Sequence, residues 1–206
     1  MARIDAPQLT SLYIMFFNDI VFDALQFIQF IRRTPTLKAV ENARVVFGHY
    51  RAIINSSSQT SGCEVGISCR ELDWQVSSLE RLCASHFPPL STLENLYIYE
   101  SLHGKQPDWR DNIENTLWLD LLHQFTTVKN LYLSKEFAPR IVAALQELVG
   151  GRTTEVLPTL QNIFLEEVEP AGQDIGKIVA ARRLSGHTIT VSHWERDPRW
   201  EQVLVF

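Results

Sequence analysis

The sequence predicts an α/β solenoid in which a parallel sheet lines the concave face, helices cover the outside, and about seven irregular units are stacked. Three short stretches support this prediction because they are nearly copies of one another, namely residues 92–98, 127–133 and 159–165. Each has an apolar residue, two polar residues, an apolar residue, an aromatic residue and a last apolar residue. In all three, an Asn stands directly before the central apolar residue. A strand that recurs in this way indicates a stack of similar units.

Weaker copies of the same strand are found on both sides of the three clear ones. Residues 7–14 repeat the pattern with Ser11 in the place of Asn, and residues 35–40 begin a further copy that degenerates into polar residues. A last strand is expected at residues 188–191, where apolar and polar residues alternate.

The spacing of the copies predicts one strand that the repeat pattern alone does not reveal. The 56 residues between Leu37 and Leu93 correspond to two intervals of 28, the interval that also separates Leu9 from Leu37. A strand is therefore expected near Val65, and residues 64–68 alternate as a strand should.

Between the strands the apolar period lengthens toward 3.6 residues, which indicates amphipathic helices. The apolar faces of these predicted helices fall in residues 22–31, 77–86, 117–125, 141–149 and 175–184. Pro35, the pair Pro88 and Pro89, and the pair Gly150 and Gly151 follow three of them and are typical helix terminators.

We expect a single domain over residues 1–206 with two irregular regions. In residues 44–69, two β-rich runs and a polar loop favour a local hairpin in the place of one helix. Residues 101–111, rich in polar residues with Gly and Pro, are interpreted as an insertion that lengthens the interval there to 35 residues.

The composition excludes several classes of function. The net charge is −5 with a pI of about 5.7, and the basic residues do not form the cluster that nucleic-acid binding requires. No segment approaches the roughly 20 apolar residues of a membrane span, and no secretory signal is recognised, so no membrane partner is expected. Three cysteines are few and odd in number, which favours a reducing compartment, the cytoplasm or the nucleus.

The residues between the apolar positions of each predicted strand should share the concave face, because strand side chains alternate. They form three columns: Ser11, Asn95, Asn130 and Asn162; Tyr13, Tyr97, Tyr132 and Phe164; Met15, Tyr99, Ser134 and Glu166. From these we predict a partner-binding set of Tyr13, Asn95, Tyr97, Tyr99, Asn130, Tyr132, Asn162, Phe164 and Glu166.

Two interpretations of the aromatic column remain open. Exposed Tyr and Phe side chains often dominate protein-binding surfaces, with the Asn column supplying hydrogen bonds. Stacked aromatics also stabilise neighbouring strands, and helices or the C-terminal tail are further candidates to cover this face.

Neither a metal site nor an active site is predicted. The set Cys63, Cys69, Cys83 and His86 has zinc-ligand spacing only in its second half, C-x2-H. Glycine-rich phosphate loops, nucleophile elbows and zinc-protease motifs are absent from the sequence. We therefore expect no enzyme activity and no cofactor.

The strand entries Pro-x-Leu-x-x-Leu, the irregular hairpin and the ending Thr-Ile-Thr-Val, followed by His193, Trp194 and Glu195, resemble the leucine-rich-repeat-like region of fungal F-box proteins. The resemblance covers nearly the whole chain and implies the substrate-recognition part of an F-box-type ubiquitin-ligase receptor, with an unidentified protein as partner. Members of that family dock a Skp-type adaptor through an N-terminal F-box, which is not recognised before Pro7. Adaptor binding is thus expected only with an upstream F-box. The alternative is a standalone leucine-rich-repeat scaffold without a ligase role.

Overall fold

A computed structural model describes residues 8–17, 24–37, 40–58, 61–85, 90, 92–101, 109, 113–167 and 172–197. The strands in this part of the chain are β1 Ser11–Phe17, β2 Asn42–Phe47, β3 Arg51–Ser57, β4 Gly62–Ser68, β5 Asn95–Glu100, β6 Asn130–Leu133, β7 Asn162–Leu165 and β8 Thr190–His193. The helices are α1 Ala24–Arg33, α2 Leu72–Ala84, α3 Asn115–His123, α4 Ala138–Gln146 and α5 Gly172–Leu184, with one 3-10 turn at Pro35–Leu37.

The fold is mixed α/β, with one open sheet of eight strands in the order β1-β4-β3-β2-β5-β6-β7-β8. The predicted strands of the three clear copies are confirmed as β5, β6 and β7, and the strand expected from spacing near Val65 is β4. The predicted hairpin is also confirmed: β2 and β3 are joined by three residues and pair antiparallel.

The otherwise parallel sheet is interrupted at the predicted irregular region, where β3 runs antiparallel to both β2 and β4. Connections as short as those on either side of β3 allow only antiparallel pairing, because a parallel crossover needs a dozen or more residues. Consecutive stacking is also lost at the start of the chain, since β1 pairs with β4 rather than with β2.

The strand expected in residues 35–40 is wrong. Pro35–Leu37 forms a 3-10 turn in which the Leu37 amide donates to the Thr34 carbonyl at 3.1 Å. Proline has a helical φ and no N–H to donate to a sheet, so it suits the first position of this turn. The strand of this unit begins only at Asn42. Most of the predicted insertion at residues 101–111 lies outside the described residues.

The helices cover one face of the sheet and form the main core with it. Leu96 and Ile98 of β5, like the equivalent residues of β6 and β7, are fully buried against helical residues such as Leu79 and Leu121. Burial of each such side chain stabilises the fold by about 1.5–3 kcal/mol. The opposite face, hereafter the aromatic face, carries the side chains that alternate with these core residues.

Candidate protein-binding face

The strand register places one residue of each strand in a continuous row across the aromatic face. In the order of the sheet, this row is Tyr13, Glu64, Asn55, Arg44, Tyr97, Tyr132, Phe164 and Ser192. Three of the four predicted aromatic residues are therefore neighbours, and polar or charged residues occupy the row on the β1 side of them.

Tyr97, Tyr132 and Phe164 form a parallel ring stack, hereafter the aromatic stack. The ring centroids of Tyr97 and Tyr132 are 4.2 Å apart with planes inclined by 16°, and those of Tyr132 and Phe164 are 4.4 Å apart with planes inclined by 7°. All three side chains are half-buried. The three residues are register partners on adjacent parallel strands. Their rings are therefore held near the strand spacing of about 4.8 Å.

Tyr13 does not belong to this stack, although the sequence places it in the same column. It lies on the edge strand β1, with three strands between it and the strand of Tyr97, and it is 47% exposed beside Glu64. The column was expected to be continuous because the units were expected to stack in chain order. The inserted strands β2 and β3 separate β1 from the other aromatic strands.

A second row on the aromatic face is a ladder of asparagine amides. Asn95 donates to the side-chain carbonyl of Asn42 at 3.0 Å, Asn130 donates to Asn95 at 2.7 Å, and Asn162 donates to Asn130 at 2.7 Å. The hydroxyl of Thr190 closes the row by donating to Asn162 at 2.5 Å. One N–H of each donating Asn is thus used within the ladder, and the Asn95 amide also donates to the Glu41 carbonyl at 3.5 Å.

Tyr99 and Glu166 lie at the carboxyl ends of their strands in surroundings that the sequence did not predict. Tyr99 is only 1% exposed and packs with Val46 and Ile53 in a small apolar cluster on the aromatic face. In this conformation its ring is covered by these residues and by Arg196, and is not open at the surface as the sequence analysis expects. Glu166 accepts hydrogen bonds from the Lys135 amide at 3.2 Å and from Arg196 at 3.0 Å.

The segment after β8 turns across the aromatic face. The indole of Trp194 meets Tyr97 and Tyr132 edge to face, at centroid distances of 6.0 and 5.6 Å and interplanar angles of 61° and 77°. Its Nε1–H donates to the Leu133 carbonyl at 3.1 Å, and the residue is 8% exposed. The C-terminal tail, one of the candidates to cover this face, thus does so through this residue.

Arg196 enters an acidic pocket at the carboxyl ends of β5 and β7. Its guanidinium donates to the Glu100 carboxylate at 2.7 Å, to the Glu100 backbone carbonyl at 2.9 Å and to Glu166 at 3.0 Å. It also lies over the Tyr99 ring, 4.9 Å from the centroid. Glu100 additionally accepts a hydrogen bond from Ser134. The Arg196 and Glu100 side chains are 6% and 1% exposed, so this is a buried ion pair.

Two side chains of the aromatic face, Tyr97 and Arg196, have pKa values that are shifted from their ordinary values. Burial raises the pKa of Tyr97 to about 12, assisted by the Tyr132 hydroxyl and opposed by Arg44. Burial alone would lower the pKa of Arg196, but Glu100 and Glu166 outweigh it, and the net pKa is raised. Both groups are therefore held in their ordinary neutral-pH states, a phenol and a guanidinium.

Trp194 and Arg196 were missed as members of the site, although the sequence carried a signal for the first of them. Thr190, Ser192 and Trp194 alternate on one face of β8, in register with Asn162, Phe164 and the position of Glu166. Extending the predicted strand of residues 188–191 by two alternations from Thr190, through Ser192, places Trp194 on the aromatic face. No periodic signal places Arg196, because it lies beyond the strand.

Elsewhere in the described residues, no group of three His, Cys, Asp or Glu side chains is close enough to hold a metal ion. Cys63, Cys69 and Cys83 are free thiols, and burial raises the pKa of Cys63 to about 12. His86 lies outside the described residues. Within the same part of the chain, each helix is too short or too polar to cross a membrane.

No family model, curated protein or solved structure matches this chain. The function is therefore argued from the aromatic face itself.

Proposed function

We propose that the chain is a protein-binding module of the leucine-rich-repeat type, and that it captures its partner on the aromatic face. The observation that carries the proposal is the aromatic stack of Tyr97, Tyr132 and Phe164, whose half-buried rings lie side by side on three adjacent strands. Tyrosine and other aromatic side chains provide large contact area at a low cost in conformational entropy, and they are enriched among the residues that dominate binding energy.

The surroundings of the stack suit a protein partner rather than a small molecule. The ladder of Asn42, Asn95, Asn130 and Asn162 holds one polar edge of the stack rigid and presents amide groups along it. The other edge carries Glu100 and Glu166, whose carboxylates both accept hydrogen bonds from Arg196. An aromatic centre bordered by polar groups resembles the core and rim of a protein interface.

Stabilisation of the sheet is the competing explanation of the stack. Each cross-strand aromatic pair stabilises a sheet by only about 0.2–1 kcal/mol, so loss of two rings should leave the protein folded. Partner binding and folding can therefore be separated experimentally.

The test is affinity capture from cell extract with quantitative mass spectrometry, comparing the native chain with the double variant Tyr97→Ala and Tyr132→Ala. We expect proteins enriched by the native chain to be reduced at least about tenfold, as for the loss of hot-spot residues. Tyr13→Ala is the matched control, because it removes a tyrosine from the same face of the sheet, separated from Tyr97 by three intervening strands. Unchanged capture by a double variant with a native circular dichroism spectrum would contradict the proposal.

The role of substrate receptor in an F-box-type ubiquitin ligase remains part of this proposal and is supported by the resemblance alone. It predicts that a Skp-type adaptor is recovered together with the native gene product. It also predicts that the variant of Tyr97 and Tyr132 loses the substrate but keeps the adaptor. Substrate capture without any adaptor would favour the alternative of a standalone scaffold.

A further inference from the structure

We propose that the aromatic face recognises a peptide segment with a Trp and an Arg separated by one residue, and that the chain's own residues 194–196 occupy this site as a displaceable intramolecular ligand. The inference rests on the proposed function and specifies both the chemistry of the partner and the state of the site before the partner binds.

The first half of the site recognises the indole. Tyr97 and Tyr132 offer it two ring surfaces in edge-to-face geometry, at centroid distances within the favourable range of 4.5–7 Å. The Leu133 carbonyl accepts its N–H at 3.1 Å. The Leu133 carbonyl also accepts the Glu166 amide at 3.0 Å, and Trp is distinguished from Phe because Phe has no N–H to donate as the second hydrogen bond to this oxygen.

The second half recognises a guanidinium. One carboxylate oxygen each of Glu100 and Glu166, the Glu100 backbone carbonyl and the face of Tyr99 converge on the Arg196 side chain. The planar fork of Arg donates to several acceptors at once and stacks on an aromatic ring, whereas the single ammonium of Lys does not reproduce this geometry. The pocket is therefore selective for Arg over Lys.

The segment that fills the two halves is separable from the sheet that forms them. Residues 194–197 lie beyond β8, although the Trp194 amide still donates to the Leu165 carbonyl of β7 at 3.2 Å. The residues that the Trp194 and Arg196 side chains contact lie on or directly after β5, β6 and β7. These strands are held by their own ladders and by the aromatic stack. We infer that the site persists when the segment leaves, and that Glu100 then meets water rather than remaining as a buried unpaired charge.

A tethered ligand competes strongly with a free one. A short tether gives an effective concentration in the millimolar range, so a partner peptide must bind more tightly than the segment or meet a chain whose segment has been weakened. The affinity of the aromatic face for the chain's own residues 194–196 therefore sets the minimum affinity that a partner needs in order to be captured.

The experiment uses the full chain and a fluorescein-labelled peptide of residues 191–197, Val-Ser-His-Trp-Glu-Arg-Asp. Fluorescence anisotropy is measured against the native chain and against the double variant Trp194→Ala and Arg196→Ala. We expect the double variant to bind the peptide at least about tenfold more tightly than the native chain, because its own segment no longer competes. A peptide with Ala in place of Trp and Arg should not bind either chain.

The matched control is Glu195→Ala, which changes the exposed residue between the two anchors and should behave as the native chain does. If the double variant is unfolded by circular dichroism, the single variant Trp194→Ala provides the same comparison. A folded variant that does not bind the peptide, or that binds the Ala-substituted peptide equally well, would overturn the inference. Unfolding of both variants would also overturn it, because the segment would then be an integral part of the fold.

The outcomes separate this inference from the proposed function. Suppose that the peptide does not bind, but that the double variant of Tyr97 and Tyr132 loses capture of the partner. This result would refute the Trp-x-Arg ligand and leave the aromatic face as the binding surface. If the peptide binds but capture does not depend on these tyrosines, the site exists and the proposed partner face is wrong.

Discussion

Tyr13, Tyr97 and Tyr99 show how strongly the neighbours of a residue decide what its side chain can do. All three point to the same face of one sheet, yet Tyr13 is 47% exposed and Tyr99 is 1% exposed. Tyr97 lies between them in burial and shares its environment with Tyr132 and Arg44. Alternation along a strand assigns the face of a side chain, but the adjacent strands and the C-terminal segment determine its exposure.

The raised pKa of Tyr97 predicts a specific loss of stability at alkaline pH. Its pKa is about 12 in the folded chain, above the value of about 10 for an unfolded tyrosine. Between these values the unfolded chain has released the proton that the folded chain still binds, so the free energy of unfolding falls as pH rises from about 10 toward 12. Below pH 10 this contribution is fully present.

Urea denaturation at several pH values would measure this effect, with Tyr97→Phe as the test variant. The variant should lose less stability than the native chain between pH 10 and 11.5, because Phe cannot ionise. Tyr50→Phe is the control, since Tyr50 is 55% exposed on the β2–β3 turn, and it should follow the native curve. If the free energy of unfolding falls equally with pH in the native chain and in Tyr97→Phe, ionisation of the Tyr97 phenol is not the cause of the loss of stability.

At the scale of elements, the asparagine ladder joins adjacent strands in addition to backbone pairing, core packing and the aromatic stack. Asn130 takes part in two ladder hydrogen bonds, as donor to Asn95 and as acceptor from Asn162, whereas Asn42 takes part in one. An internal hydrogen bond stabilises a protein by about 0.5–1.5 kcal/mol net. The contribution of each Asn should therefore depend on its place in the row.

We predict that Asn130→Ala lowers the free energy of unfolding by about 1–2 kcal/mol, and that Asn42→Ala lowers it by about half as much. Chemical denaturation followed by circular dichroism measures both. Asn130→Asp is a matched variant of almost the same shape, which loses the donor to Asn95 and should also be destabilised. Equal effects of the two Ala variants would show that the ladder position is irrelevant.

The strands that the sequence predicts correctly are those that repeat one local pattern in one environment. The strands containing Tyr97, Tyr132 and Phe164 recur because each has the same neighbours, a parallel strand on each side and a helix below. Residues 35–40 imitate that pattern up to Val40, but Thr34 and Pro35 follow the end of α1, and Pro35 begins a 3-10 turn. The apolar pattern thus predicts a strand here, but the restricted φ and the missing N–H of Pro35 favour the 3-10 turn instead.

The order of strands and the covering of the aromatic face were not predictable in the same way. Sequence periodicity tells which face a residue occupies, but it carries no information on which strand lies next to it. For this reason Tyr13 was placed beside Tyr97, and the acidic pocket around Arg196 was missed. The pocket unites residues from β5, β6, β7 and the C-terminal segment that are up to 96 positions apart.

At the scale of the whole molecule, the sheet has a protected centre and two edges in the described part of the chain. Strands β2 and β5 pair on both sides and lie near the middle of the order, while β8 has four residues and, among the described residues, pairs only with β7. Three of the four β8 residues are exposed. Local opening should therefore require much less free energy at β8 than at the centre.

Hydrogen–deuterium exchange with mass spectrometry tests this gradient. Amides of β2 and β5 should exchange most slowly, and those of β8 should exchange among the fastest strand amides. The variant Trp194→Ala and Arg196→Ala should accelerate exchange in β8 and leave β2 unchanged, because the segment anchors only the β5–β8 half. Uniform protection across all eight strands would contradict this picture.

The pairing of β1 with β4 also has a consequence for synthesis on the ribosome. Strand β1 emerges first, but Gly62, the partner of Ser11, lies about 50 residues later in the chain. At about 5–20 residues per second, translation leaves β1 without its partner for about 3–10 s. During this interval the apolar side chains of Leu12, Ile14 and Phe16 are exposed in the nascent chain, and nascent-chain chaperones are expected to bind there first.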